Sequence, residues 1–162
     1  MKGVSVIIAS TLIIVISITV VYMALQMGSP AIDRSNEILT MDNSKKTLVR
    51  IDNAVKTVLG EGEGSARSLS VSVSGGSYKI DTEADNVVFT METFSQIVAA
   101  GVSKMEDGIN VTAEPGRIYL TLNLDDFNVT GGGEFGDGSY NMIIRNDGYD
   151  VVNQKQLISI AV

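Results

Sequence analysis

The chain has 162 residues, with 12 basic and 19 acidic side chains, a net charge of −7, and no cysteine, histidine or tryptophan. That length accommodates one ordinary domain plus an appended element. The missing residue types exclude a disulfide framework, thiolate or imidazole ligation of a transition metal, and any Cys or His nucleophile or base. The acid excess argues against a nucleic-acid partner.

From Val4 to Leu25 no side chain is charged, and fourteen of these residues are Val, Ile, Leu or Met. As a helix the segment spans about 33 Å, close to the ~30 Å hydrocarbon core of a bilayer. At roughly 2 kcal/mol for each large apolar side chain, its removal from water is worth on the order of 28 kcal/mol. A secretory signal has a shorter apolar core and small residues before its cleavage site, whereas this run ends in Ala24-Leu25-Gln26-Met27. The expectation is a membrane helix, with Lys2 favouring a cytoplasmic N-terminus and the remainder outside. Ser10 and Ser17 lie seven apart on one helical face. They suit either close helix packing in lipid or hydroxyls bonded back to the preceding turn.

Gly28-Ser29-Pro30 interrupts the run, and two arrangements stay open: Ser29 caps a new helix with Pro30 in its first turn, or Pro30 kinks a continuous one. From Asp33 to Leu59 the apolar residues Ile38, Met41, Leu48, Ile51, Val55, Val58 and Leu59 form one stripe at helical spacing, which predicts an amphipathic helix covering an apolar surface. Leu39 and Val49 fall outside the stripe. Gly60-Glu61-Gly62-Glu63-Gly64-Ser65 ends the helix and forms a linker.

Beyond Leu59, six basic side chains face fifteen acidic ones, a local net charge of −9. The hydrophobic period there becomes two. Leu69, Val71 and Val73 alternate with serines, Gly75-Gly76 predicts a tight turn, and Tyr78 and Ile80 alternate on a return strand. Val87, Phe89 and Met91 form another strand, as do Ile118, Leu120, Leu122 and Leu124. Asn146-Asp147-Gly148 predicts a turn between 140–145 and closing strands that include Leu157, Ile158 and Ile160. Residues 94–100 read as a short helix. The fold class is therefore α+β: a long N-terminal helix, apolar and then amphipathic, packed against a C-terminal antiparallel, sandwich-like β-sheet domain. The boundaries fall at 1–3, 4–27, 28–60 and 61–162.

Candidate chemistry is sparse. Asp125-Asp126 and the glycine-rich Gly131–Gly138 lack the ligand spacing of a calcium loop. The glycines also lack the Gly-Lys-Ser/Thr of a phosphate cradle, and they read as a mobile surface loop. No pair of carboxylates stands out for glycoside hydrolysis. No catalytic residue, cofactor or metal is expected. Asn110-Val111-Thr112 and Asn128-Val129-Thr130 are acceptor sequons for N-glycosylation if the domain lies outside the cell.

Met1-Lys2-Gly3 followed by Val4-Ser5-Val6-Ile7-Ile8-Ala9-Ser10 resembles the start of an archaeal type IV pilin or archaellin precursor. The resemblance covers the first 25 residues, while the remainder agrees in general plan. It implies that a prepilin-type membrane peptidase recognises Lys2 and Gly3 and makes Val4 the first mature residue. It also implies a self-assembling helical homopolymer, built at the cell surface by pilus assembly machinery from subunits first held in the cytoplasmic membrane. Ile7, Ile8, Leu12, Ile13, Ile16 and Val20 would then pack in the filament core. The three-residue leader is shorter than in many relatives, Val6 stands where many carry proline, and Ile8 occupies the position at which bacterial pilins usually carry glutamate. Two alternatives share the anchor but form no polymer: a membrane-anchored minor pilin, and an extracellular binding protein.

Overall fold

The computed structural model describes residues 2–95 and 97–162, and their side chains apart from those of residues 2–5 and Met27. The chain divides into two compact units, one ending at Asn36 and the other covering Glu37–Val162. Helix α1 (Lys2–Glu61) supplies all the described backbone of the first unit and opens the second. It continues through Pro30, so Ser29 does not cap a separate helix. Proline inside a helix leaves the carbonyl four residues earlier, here Gln26, without its backbone donor.

In the second unit the helix buries Leu48, Ile51, Val55 and Val58 completely, with Met41 and Leu59 partly covered. This is the predicted stripe from Met41 onward. Ile38 stays exposed, as does Leu39, whereas Val49 is half-buried against the core. The helix ends at Glu61, and Ser65 Oγ donates back to the Val58 and Gly62 carbonyls at 2.6 and 2.7 Å. The last-turn carbonyl of Val58 is thereby satisfied in the way helix C-termini require.

Ten strands follow among the described residues: β1 (Ala66–Val73), β2 (Ser77–Asp81), β3 (Asn86–Glu92), β4 (Ser103–Glu106), β5 (Ile109–Glu114), β6 (Arg117–Asn123), β7 (Phe127–Gly131), β8 (Gly133–Phe135), β9 (Gly138–Asp150) and β10 (Lys155–Ala161). They form two sheets, with orders β1-β9-β10-β7 and β4-β5-β6-β3-β2-β8. All pairings are antiparallel except β7 with β10, which is parallel. Alternating side chains from both sheets meet the helix stripe in one buried cluster that includes Val71, Phe89, Leu120, Met142, Ile144 and Ile158. Tyr78, Phe135 and Tyr140 bridge the sheets through ring contacts at centroid distances of 5.5 and 4.9 Å. Tyr78 also donates to the helix carbonyl of Ser44 at 3.3 Å, and burial pushes its phenol pKa up.

Four local expectations change. Gly75-Gly76 does not close a hairpin, because β1 pairs with β9 and β2 pairs with β3 and β8. The glycines instead carry the chain from one sheet to the other. Gly75 has φ 73°, and a Cβ on Gly76 would stand 2.4 Å from the Phe89 ring, so the crossing requires both glycines. Asn146-Asp147-Gly148 lies within β9, and the turn comes later, at 151–154. Leu157 faces Gly148 while Ile158 faces Asn146, which leaves Asp147 as the extra residue of a β-bulge. The 131–138 run is no free loop. It ends β7 and forms β8, again crossing between sheets, with Gly131 so close to β10 that a Cβ would meet the Ile160 carbonyl oxygen at 2.2 Å. Among the described residues of 94–100 there are bends and a turn and no helix.

Candidate functional site

The first unit presents an apolar surface with nothing against it. All the side chains described from Val6 to Gln26 are exposed, and no part of its most apolar eighteen-residue window is buried. Ile7 is 68% exposed, Ile13 63% and Ile16 53%. Ile8, Leu12 and Val20 are exposed to a similar degree. At 100° per residue Ile8, Leu12, Ile13, Ile16 and Val20 fall within an arc of about 140°. Ile7, with the similarly exposed Ile14, Ile18 and Val21, occupies the opposite side, so the helix is apolar all round, as suits burial on all sides in lipid or in a helix bundle. By length and composition the helix is able to cross a membrane.

Three hydroxyls in the apolar stretch are satisfied internally. Ser10 Oγ and Thr11 Oγ1 both donate to the Ile7 carbonyl at 2.9 Å, and Thr19 Oγ1 donates to that of Val15 at 2.8 Å. Such back-bonding hides hydroxyls from an apolar environment. It accounts for Ser10 without a partner helix. The backbone of Lys2, Gly3 and Val4 lies in α1, while their side chains, like the whole of Met1, fall outside those described.

The second unit orders its surface with carboxylates. Glu37 accepts from Thr93 Oγ1 at 2.7 Å, Phe94 N at 3.0 Å and Ser95 N at 3.3 Å, and so clamps the segment after β3 onto the helix. Partial burial would raise its pKa, but these bonds to the carboxylate outweigh it and hold the pKa below the ordinary value. Glu106 on β4 receives Lys104 at 2.7 Å and Lys45 of the helix at 2.6 Å. Bonds first from Lys104 and then from Lys45 lower its pKa to about 2.

Both sequon asparagines lie on strands and are half-buried. Asn110 on β5 accepts Ser103 Oγ at 2.8 Å through Oδ1. Asn128 on β7 uses Nδ2, the atom to which a glycan would attach, to donate to Asp150 Oδ2 at 2.7 Å. Asp125 and Asp126 are exposed, and no group of three acidic side chains placed to hold a metal occurs among the described residues. The clamp of Glu37 on Thr93–Ser95 has no counterpart in the sequence reading, since a lone glutamate on a helix carries no signal for a loop more than fifty positions away.

Fold and surface together define an α+β protein with an exposed apolar N-terminal helix and a two-sheet domain of acidic composition. No protein-family model, curated protein or solved structure matches the chain.

Proposed function

We propose that this chain is a structural subunit of an extracellular type IV pilus-like filament, inserted in the cytoplasmic membrane before assembly and polymerised through its N-terminal apolar helix. The observation that carries this reading is the fully exposed, all-round apolar surface of residues 6–25. A membrane satisfies that surface while the subunit is stored. Once the helix is extracted, only sister helices offer an equivalent environment, and a repeated contact that does not close on itself generates a helical filament. Lys2-Gly3 before Val4 supplies the cleavage signal that separates such a subunit from a permanent anchor.

The experiment combines shearing with intact-mass analysis. Sheared surface material should contain filaments visible in negative stain, whose main band is this chain beginning at Val4. A chain that retains Met1 and stays with the membrane fraction would sink the filament reading and leave an anchored extracellular domain.

A further inference from the structure

The outward face of the six-stranded sheet carries an open cleft of about 630 Å³ at the end where the chain crosses between sheets, a volume within the range of small-molecule sites. Its floor is built from register neighbours: Ser77 of β2 lies opposite Thr90 of β3, and Glu92 of β3 lies opposite Arg117 of β6. Glu134 of β8 and Asp137 form the other wall, the first accepting from Ser77 Oγ at 3.3 Å and the second from Gly75 N at 2.7 Å. Phe94 stands at the rim, 86% exposed. It is the most exposed aromatic side chain among those described outside the apolar helix. Its backbone is held from two sides, by Glu37 at Phe94 N (3.0 Å) and by the Gly116 carbonyl at Thr93 N (3.0 Å). With its backbone fixed, the ring stays in water at the edge of the cleft and is open to contact with a ligand there.

The lining discriminates among ligand classes. A polyanion would meet the carboxylates of Glu92, Glu134 and Asp137, and a compact cation would meet the Arg117 guanidinium, which forms no ion pair among the described residues. A neutral polyol matches both signs, because each hydroxyl donates to a carboxylate and accepts from a guanidinium. One face of a pyranose is rich in C–H bonds and packs on an aromatic ring. We propose that this cleft binds a neutral saccharide, with Phe94 as the stacking platform and Arg117, Glu92 and Glu134 as the hydroxyl partners. The site stands on the cleft alone and does not depend on the filament reading.

The test is saturation-transfer NMR on the full-length chain in a zwitterionic, non-glycosidic detergent. The probes are glucose, galactose, mannose and N-acetylglucosamine, with their di- and trisaccharides. At least one sugar should receive saturation, strongest on the C–H protons of one ring face. Phe94→Ala and Arg117→Met should each weaken its binding by about tenfold or more, and Phe94→Ala should leave the thermal unfolding midpoint unchanged. Lys155→Met, on the other sheet, should leave sugar binding intact. Absence of transfer from every sugar would overturn the proposal, as would binding that survives both cleft variants. Binding of a polyamine or an acidic oligosaccharide, lost in the same variants while the neutral sugars fail, would assign the cleft to a charged ligand and overturn it equally.

Discussion

Asn146 is 2% exposed and makes contacts that no neighbour in the chain could supply. Its Nδ2 donates to the Val58 carbonyl at 3.3 Å, its Oδ1 accepts Gly148 N at 2.9 Å, and its backbone exchanges bonds with Gly64 and Ser65. One residue thus ties the helix end, the linker and the β9 bulge together. Asn146→Ala removes the acceptor of the buried Gly148 amide and one of the donors to the Val58 carbonyl, which keeps Ser65 Oγ, and the expected cost is about 1–3 kcal/mol. The exposed Asn141→Ala, on the same strand, should change stability by no more than about 0.5 kcal/mol. Chemical denaturation of the two variants checks the contrast. Glu37 and Glu106 both have lowered pKa values in the folded chain. Their stabilisation is therefore full above the ordinary glutamate value of 4.5 and is lost as pH falls through the folded values, for Glu106 toward about 2. Thermal midpoints should fall between pH 5 and pH 2, and the fall should be shallower in Glu106→Gln; an identical slope would remove the ion pairs from the account. The sequons also separate at this scale. Asn128 Nδ2 is engaged by Asp150, whereas the bond made by Asn110 runs through Oδ1. Glycopeptide mass spectrometry of native material should find a glycan on Asn110 in preference to Asn128.

The helix illustrates how one element answers to two environments. Residues 6–25 are apolar all round, whereas the stretch from Met41 to Leu59 is apolar on one stripe, and this difference in pattern matches the difference between wholly exposed and half-buried surface. Ile13 lies in the first stretch at 63% exposure, so a change there does not touch the folded core. Ile13→Asp should therefore leave the β domain folded and abolish filaments, because an unpaired charge in an apolar bundle costs several kcal/mol. The variant must first be located in the membrane fraction, since the same charge opposes insertion. Normal filaments containing the variant would show that the helix is not the polymer core. Among the strands, β7 and β8 form a continuous run of sequence yet belong to different sheets, and the three glycines between Thr130 and Glu134 allow it. All three have positive φ, at 95°, 98° and 145°, a conformation in which a Cβ would be strained.

At the scale of the whole molecule, the core cluster draws on α1 and on both sheets but on no described residue before Met41. The second unit thus holds its own core, which is the condition for a stretch of chain to fold alone. A fragment from Asp33 to Val162 should be soluble, monomeric and cooperative in unfolding. The full-length chain, once freed of detergent, should form fibres, or aggregate if export machinery is needed to order assembly. Sedimentation and calorimetry distinguish these outcomes, and a fragment that self-associates as the full chain does would place the polymer contact in the β domain instead.

What the sequence determined by itself was composition and period. The apolar run, the amphipathic stripe and the alternation of strands such as 69–73, 87–91 and 118–124 follow from side-chain chemistry read locally, and the α+β class follows from them. What the tertiary structure decided was pairing. Gly75-Gly76 and Asn146-Asp147-Gly148 carry the same dipeptide signals as hairpin turns, yet one crosses between sheets and the other bulges within a strand. Backbone permissiveness is a local property, but the choice among a turn, a crossing and a bulge depends on which distant strand buries each face. The parallel β7–β10 pair, the clamp of Glu37 on Thr93–Ser95 and the cleft joining Glu92, Arg117 and Glu134 were illegible for the same reason. Their members are brought together only when two sheets and a helix share one core, because burying that common apolar surface sets the register of everything outside it.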